Sequence, residues 1–134
     1  HPPLEELSIR VENLSDEAGN AFCGCSALER LHLDGHVNLQ TSSFVKTLVS
    51  GLSSLKELDI TAELLGSEAI KAFKGCTKLE KLCISGHSFS QSSDFIEAVI
   101  PSLTSLKELD VNVGILTPEN VAVFKECKIE KLHL

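Results

Sequence analysis

One six-residue pattern of apolar and polar positions returns along the chain. It reads LEELSI at residue 4, LERLHL at 28, LKELDI at 55, LEKLCI at 79, LKELDV at 106 and IEKLHL at 129. The apolar residues of each copy alternate with polar ones over its second half, the period of a short strand with one buried face. Successive copies are 24, 27, 24, 27 and 23 residues apart, so two unit lengths alternate and the double period is 51. Phe22, Phe73 and Phe124 stand 51 apart, as do Glu17, Glu68 and Glu119, Leu14, Leu65 and Leu116, and Cys25, Cys76 and Cys127. In the longer units Gly35-His36 matches Gly86-His87, and Phe44 matches Phe95.

Between the strands the period changes to that of a helix. In the shorter units the spacing predicts helices starting near Ser15, Ser67 and Thr117. These are capping residues, each followed by an acid in the first turn, and Thr117 also by Pro118 at the favoured first helical position. Ala18, Ala21, Phe22 and Cys25 fall on one helical face. In the longer units Phe44, Val45, Leu48, Val49 and Leu52 form such a face, echoed by Phe95, Ile96, Val99, Ile100 and Leu103. Pro101 is expected to end or bend its helix. A strand and a helix repeated at this interval bury a common core only by stacking, with parallel strands on one side and helices on the other. Helices are wider than strands, so the stack is expected to curve with its six strands on the concave face. Residues 1–134 form a single domain of this kind.

Composition narrows what such a stack does. Apolar residues are 43% and charged residues 23%, a globular balance. A net charge of -7 argues against a nucleic-acid backbone binder, which needs a basic stripe. No apolar run approaches the roughly 18 residues of a membrane span, and no signal-peptide pattern opens the chain. The start at His1-Pro2-Pro3 and the absence of Met imply a piece of something longer. Five cysteines without the spacing of a secreted framework imply reduced thiols and a cytoplasmic location. Their shared column on the apolar helix face predicts that Cys25, Cys76 and Cys127 are buried and unbridged, and copies about 10 Å apart cannot share one metal. Cys23 and Cys83 are expected to be exposed and to react readily.

The repeats resemble leucine-rich repeats, and the two-length alternation resembles their ribonuclease-inhibitor-like subfamily. The run from Cys76 to Leu82 and CKIEKLHL from Cys127 to Leu134 are similar to that subfamily's approach to the strand. One departure stands out. The family's Asn or Cys after the strand is replaced here by Glu12, Gly35-His36, Glu63, Gly86-His87 and Gly114, so turn closure must differ. The subfamily includes the sensor regions of NOD-like immune receptors as well as ribonuclease inhibitor. The resemblance therefore implies a horseshoe-shaped solenoid that senses a ligand or holds its own receptor inactive.

The polar strand positions form three columns on the open face of the sheet. The first reads Glu6, Arg30, Glu57, Lys81, Glu108, Lys131, with acid and base alternating. The second reads Ser8, His32, Asp59, Cys83, Asp110, His133, and the third Arg10, Asp34, Thr61, Ser85, Asn112. The candidate binding residues are Arg30, His32, Glu57, Asp59, Lys81, Cys83, Glu108, Asp110, Lys131 and His133. His32 and Cys83 lie two strands apart, about 10 Å, too far for a thiol–base pair, so no catalytic site is expected. The pairs within reach are His32–Asp59 and Asp110–His133. No cofactor or metal is called for. The expected partner is a protein ligand or another domain of the parent chain, with no nucleic acid and no membrane. The strands at 4–9 and 129–134 lack capping units and are expected to permit self-association. A non-enzymatic interaction module of a NOD-like receptor is the leading reading. The substrate-recruiting region of an F-box ubiquitin-ligase adaptor is the alternative, disfavoured because adaptor repeats tend to a single length. An enzyme is the third.

Overall fold

The computed structural model describes residues 4–11, 25–35, 42–61, 67–85 and 92–134. Six strands form one open sheet: β1 (Glu6–Val11), β2 (Arg30–Gly35), β3 (Glu57–Thr61), β4 (Lys81–Ser85), β5 (Glu108–Val111) and β6 (Lys131–His133). All are parallel, and their order in space is their order in the chain. Between them lie α1 (Ser42–Gly51), α2 (Ser67–Phe73), α3 (Ser92–Val99) and α4 (Pro118–Glu126). The fold is thus α/β, as the change of period implies. The helix expected near Ser15, with Ala18, Ala21, Phe22 and Cys23, lies outside the described residues, as do the turns at Glu12, His36, Glu63 and Gly86-His87.

Each strand begins at the third residue of its hexapeptide. The leading leucine instead closes a turn, and it does so the same way in successive units. Leu28, Leu55, Leu79 and Leu106 donate their N–H to the carbonyls of Cys25, Leu52, Cys76 and Leu103, at 2.9, 3.5, 3.1 and 3.1 Å. A second motif follows at once. Glu29 N–H and Arg30 N–H both donate to the Glu5 carbonyl, at 2.8 and 3.0 Å, and the same two-donor clamp recurs at each later strand, down to Glu130 and Lys131 on the Lys107 carbonyl. One acceptor thereby fixes the register of each strand against its predecessor.

The core is a single cluster built from the inward strand residues and the helix faces. Leu31, Leu58, Leu82 and Leu109 are each no more than 1% exposed, one from every inner strand. Val45, Leu48, Val49 and Leu52 of the α1 unit and Phe95, Ile96, Val99, Ile100 and Leu103 of the α3 unit are buried against them, as the spacing predicts. The aromatic rings of Phe73 and Phe95 meet edge to face, with centroids 5.3 Å apart. Each such buried side chain contributes roughly 1.5–3 kcal/mol of transfer free energy, so these layers carry the stability.

The helix ends follow local chemistry. Thr117 caps α4: its hydroxyl accepts from Asn120 N–H at 3.1 Å, while Asn120 Oδ1 accepts from Thr117 N–H at 3.2 Å. Pro118 occupies the first turn and Glu119 supplies the acid near the helix N-terminus. α3 stops at Val99, and a 3-10 turn over Ile100–Ser102 carries Pro101. Among the described residues no helix is long and apolar enough to cross a membrane.

Candidate functional site

The polar columns come together on the sheet as the strand period requires. In the first, Glu6, Arg30, Glu57, Lys81, Glu108 and Lys131 are consecutive register partners across all six strands. Arg30 Nε lies 3.9 Å from Glu57 Oε1, Lys81 Nζ 3.7 Å from Glu108 Oε2, and Lys131 Nζ 3.5 Å from Glu108 Oε1. Glu108 thus sits between two lysines. These pairs are solvent-accessible and individually worth about 0.2–1 kcal/mol.

The second column is equally continuous, running Ser8, His32, Asp59, Cys83, Asp110, His133. His32 is held between two carboxylates: Nδ1 is 3.7 Å from Asp59 Oδ2 and Nε2 is 3.8 Å from Glu57 Oε2. The predicted His32–Asp59 pairing is present, and Glu57 joins it. Asp110 and His133 face each other in register without closing to an ion pair. In the third column Thr61 and Ser85 hydroxyls are 3.3 Å apart, and Ser85 also donates to the Ile60 carbonyl at 3.5 Å. Arg10 and Asp34 are register partners.

The thiols depart from expectation. Cys83 is half-buried, not exposed, and its pKa is pushed up to about 12. Burial between neighbouring strands is the main cause. The negative charges of Asp59 and Asp110, one on each side, add to it, as does the hydrogen bond to Asp59, and Lys81 opposes them weakly. Thiolate is the reactive form, so Cys83 is a slow thiol at neutral pH rather than a ready one. Of the three column cysteines only Cys76 is buried. Its Sγ donates to the Val49 carbonyl at 3.9 Å, and its pKa rises to about 11 through desolvation. Cys25 and Cys127 are only half-buried, and no disulfide joins any of the four described cysteines.

The sequence around Cys127 also differs from that around Cys76. Val123 and Glu126 of α4 stand where the earlier copy has Ala72 and Gly75, one double period before. A side chain on Gly75 would meet the Ala72 carbonyl at 3.4 Å. An open hollow of about 320 Å³ is bounded by Ile100, Pro101, Leu103, Val123 and Cys127. The hollow borders helix and turn residues, not the polar columns.

Compared with models of known protein families and with curated proteins, the chain gave no match. The site is therefore described by its own chemistry. It is a broad polar sheet face whose first column is balanced charge by charge and whose second carries an acidic excess at Asp59 and Asp110. Among the described residues, no three His, Cys, Asp or Glu side chains converge to hold a metal ion.

One charged row escaped the reading by columns. Glu5, Glu29, Lys56, Glu80, Lys107 and Glu130 occupy the residue just before each strand. Lys56 Nζ lies 3.6 Å from Glu29 Oε1 and Lys107 Nζ 3.7 Å from Glu80 Oε1. The signal was present in the second letter of each hexapeptide, which alternates E, K, E, K, E from the second copy onward.

Proposed function

We propose that this chain is a non-enzymatic, protein-binding leucine-rich-repeat module of the ribonuclease-inhibitor-like kind, from the ligand-sensing region of a cytoplasmic NOD-like receptor. The reading is supported by six hexapeptides that supply six consecutive parallel strands with helices between them. The four described cysteines are unbridged, which is consistent with a reducing compartment. On this reading the strands form the concave floor of a curved solenoid, and the floor takes the partner.

The observation that carries the binding assignment is the second column. Asp59 and Asp110 flank the short, half-buried Cys83 on neighbouring strands. The first column pairs acid with base throughout, whereas in the second Asp59 is shared between His32 and Cys83 and Asp110 is exposed, so this column keeps an acidic excess. The module therefore takes a protein surface that presents basic side chains, with His32 and Lys81 at the margin of the contact. A photo-crosslinking amino acid at Ser85, on the sheet face, is expected to capture a partner from cytosolic extract. One at Lys71, on α2, is not. The adduct should disappear in D59K and D110K. Adducts from position 71 alone, or adducts indifferent to both reversals, overturn the assignment. The coding region upstream of His1 separates the parent proteins: a nucleotide-binding P-loop supports the receptor and an F-box the adaptor.

A further inference from the structure

His32 turns its two ring nitrogens to two different carboxylates. Nδ1 lies 3.7 Å from Asp59 Oδ2, and Nε2 lies 3.8 Å from Glu57 Oε2. Both acids belong to β3, where Asp59 is the register partner of His32 and Glu57 that of Arg30. Each carboxylate is already divided. Glu57 turns its other oxygen, Oε1, to Arg30 Nε at 3.9 Å, and Asp59 also accepts from the Cys83 thiol. On the far side, β1 sets Ser8 opposite His32, with Glu6 and Arg10 at the neighbouring positions of the same face. β2 itself adds Arg30 and Asp34. Glu6, Arg10, Arg30 and Asp34 balance one another, and carboxylates and guanidinium groups hold their charge across the neutral range. The imidazole is 32% exposed, so protons reach it from solvent.

A neutral imidazole carries one N–H, whereas an imidazolium carries one on each nitrogen. Only the protonated ring therefore presents a donor to both acids at once. Histidine is also the side chain whose ordinary titration falls between about pH 5 and 8. We propose that His32 is a proton-operated switch on the sheet face: once protonated it becomes an internal cation for Asp59 and Glu57, and mild acidification loosens a basic partner. The inference rests on the reading of this face as the partner's contact, and it names the regulation of that contact. Proton and partner compete for the same carboxylate, so each weakens the binding of the other. Asp110 keeps its charge, so the partner is weakened and not expelled. A partner cation on Asp59 stands about 6 Å from the imidazolium, where two like unit charges in water cost about threefold in affinity.

A rhodamine-labelled octa-arginine peptide serves as the basic probe, and fluorescence anisotropy reads its Kd for the full chain near pH 7.5 and near pH 5.5. Ionic strength is held near 20 mM, where surface charges are little screened. At the higher pH, D59K with D110K should weaken the probe more than E97K with E126K, an equal change of charge at exposed positions of α3 and α4. Acidification should weaken the wild type about threefold more than H32Q, which retains every other histidine of the chain. H32K, a permanent cation at the same place, should bind weakly at both pH values and follow the pH response of H32Q. Circular dichroism at each pH confirms folding, and if H32Q does not fold H32K decides alone. Equal pH responses in wild type and H32Q, or an H32K that binds as tightly as wild type near pH 7.5, overturn the switch while leaving the contact in place. Equal losses from the two double reversals overturn the contact, and the switch with it.

Discussion

At the scale of single residues the cysteines show how one recurring letter takes different chemistry from its neighbours. Cys76 is buried, and its thiol is raised from 9.0 to about 11 by desolvation. The neutral thiol is therefore favoured in the folded chain. That contribution is fully present below about pH 9 and is lost as pH climbs toward 11, a window worth about 3 kcal/mol at 1.4 kcal/mol per unit. Urea denaturation at steps between neutral pH and pH 11 should show stability falling above about 9. Cys76→Ala should reduce the slope of that decline, leaving the part due to Cys83, while costing about 1–2 kcal/mol at neutral pH through the lost packing and the hydrogen bond to Val49. An alkaline limb of unchanged slope in the variant would show that the thiol's burial does not govern it. Cys83 contributes to the same decline from about pH 9 and carries it on toward 12, because burial first, and then the charges of Asp59 and Asp110, disfavour its thiolate.

At the scale of elements, local signals settled most of the structure. Strand positions followed from alternation, and the faces of α1 and α3 from their helical spacing. The start of α4 followed from Thr117 and Pro118, chemistry that acts within one turn. Asn120 was less visible. It is fully buried, and its side chain completes the cap, yet in the sequence it reads as an ordinary polar residue of the first turn. The capping box predicts that Thr117→Ala destabilises the chain by about 1 kcal/mol, with Thr117→Ser retaining most of the stability. Thermal melts of the three proteins check this, and equal loss in both variants would place the effect in the methyl group instead. What the sequence left illegible needed distances between units. The half-burial of Cys127, in the same column as the buried Cys76, is one such case. The burial of Cys83 depends on flanking strands that no local pattern describes. The three candidate columns were legible because a strand has a period of two. The charged row before the strands was passed over because its residues belong to a turn and follow no such period.

At the scale of the whole molecule, strand order in space repeats strand order in the chain, and no strand is inserted between two others. The helices likewise make their main contacts with the helices before and after them. Among the described residues, no late segment is clasped by an early one. Pulled by its two ends, such a chain has nothing to break all at once. It yields like a zip fastener, one strand with its helix at a time, beginning at whichever end is held least firmly. Each release frees one unit of 24 or 27 residues, on the order of 80–90 Å of extended chain. A force–extension trace should therefore show a staircase of small, nearly even steps rather than one tall rupture. A single cooperative rupture would mean that the layers share their load. The same property makes the molecule an extensible element, lengthening under tension by counted increments and recovering them in reverse when the tension is removed.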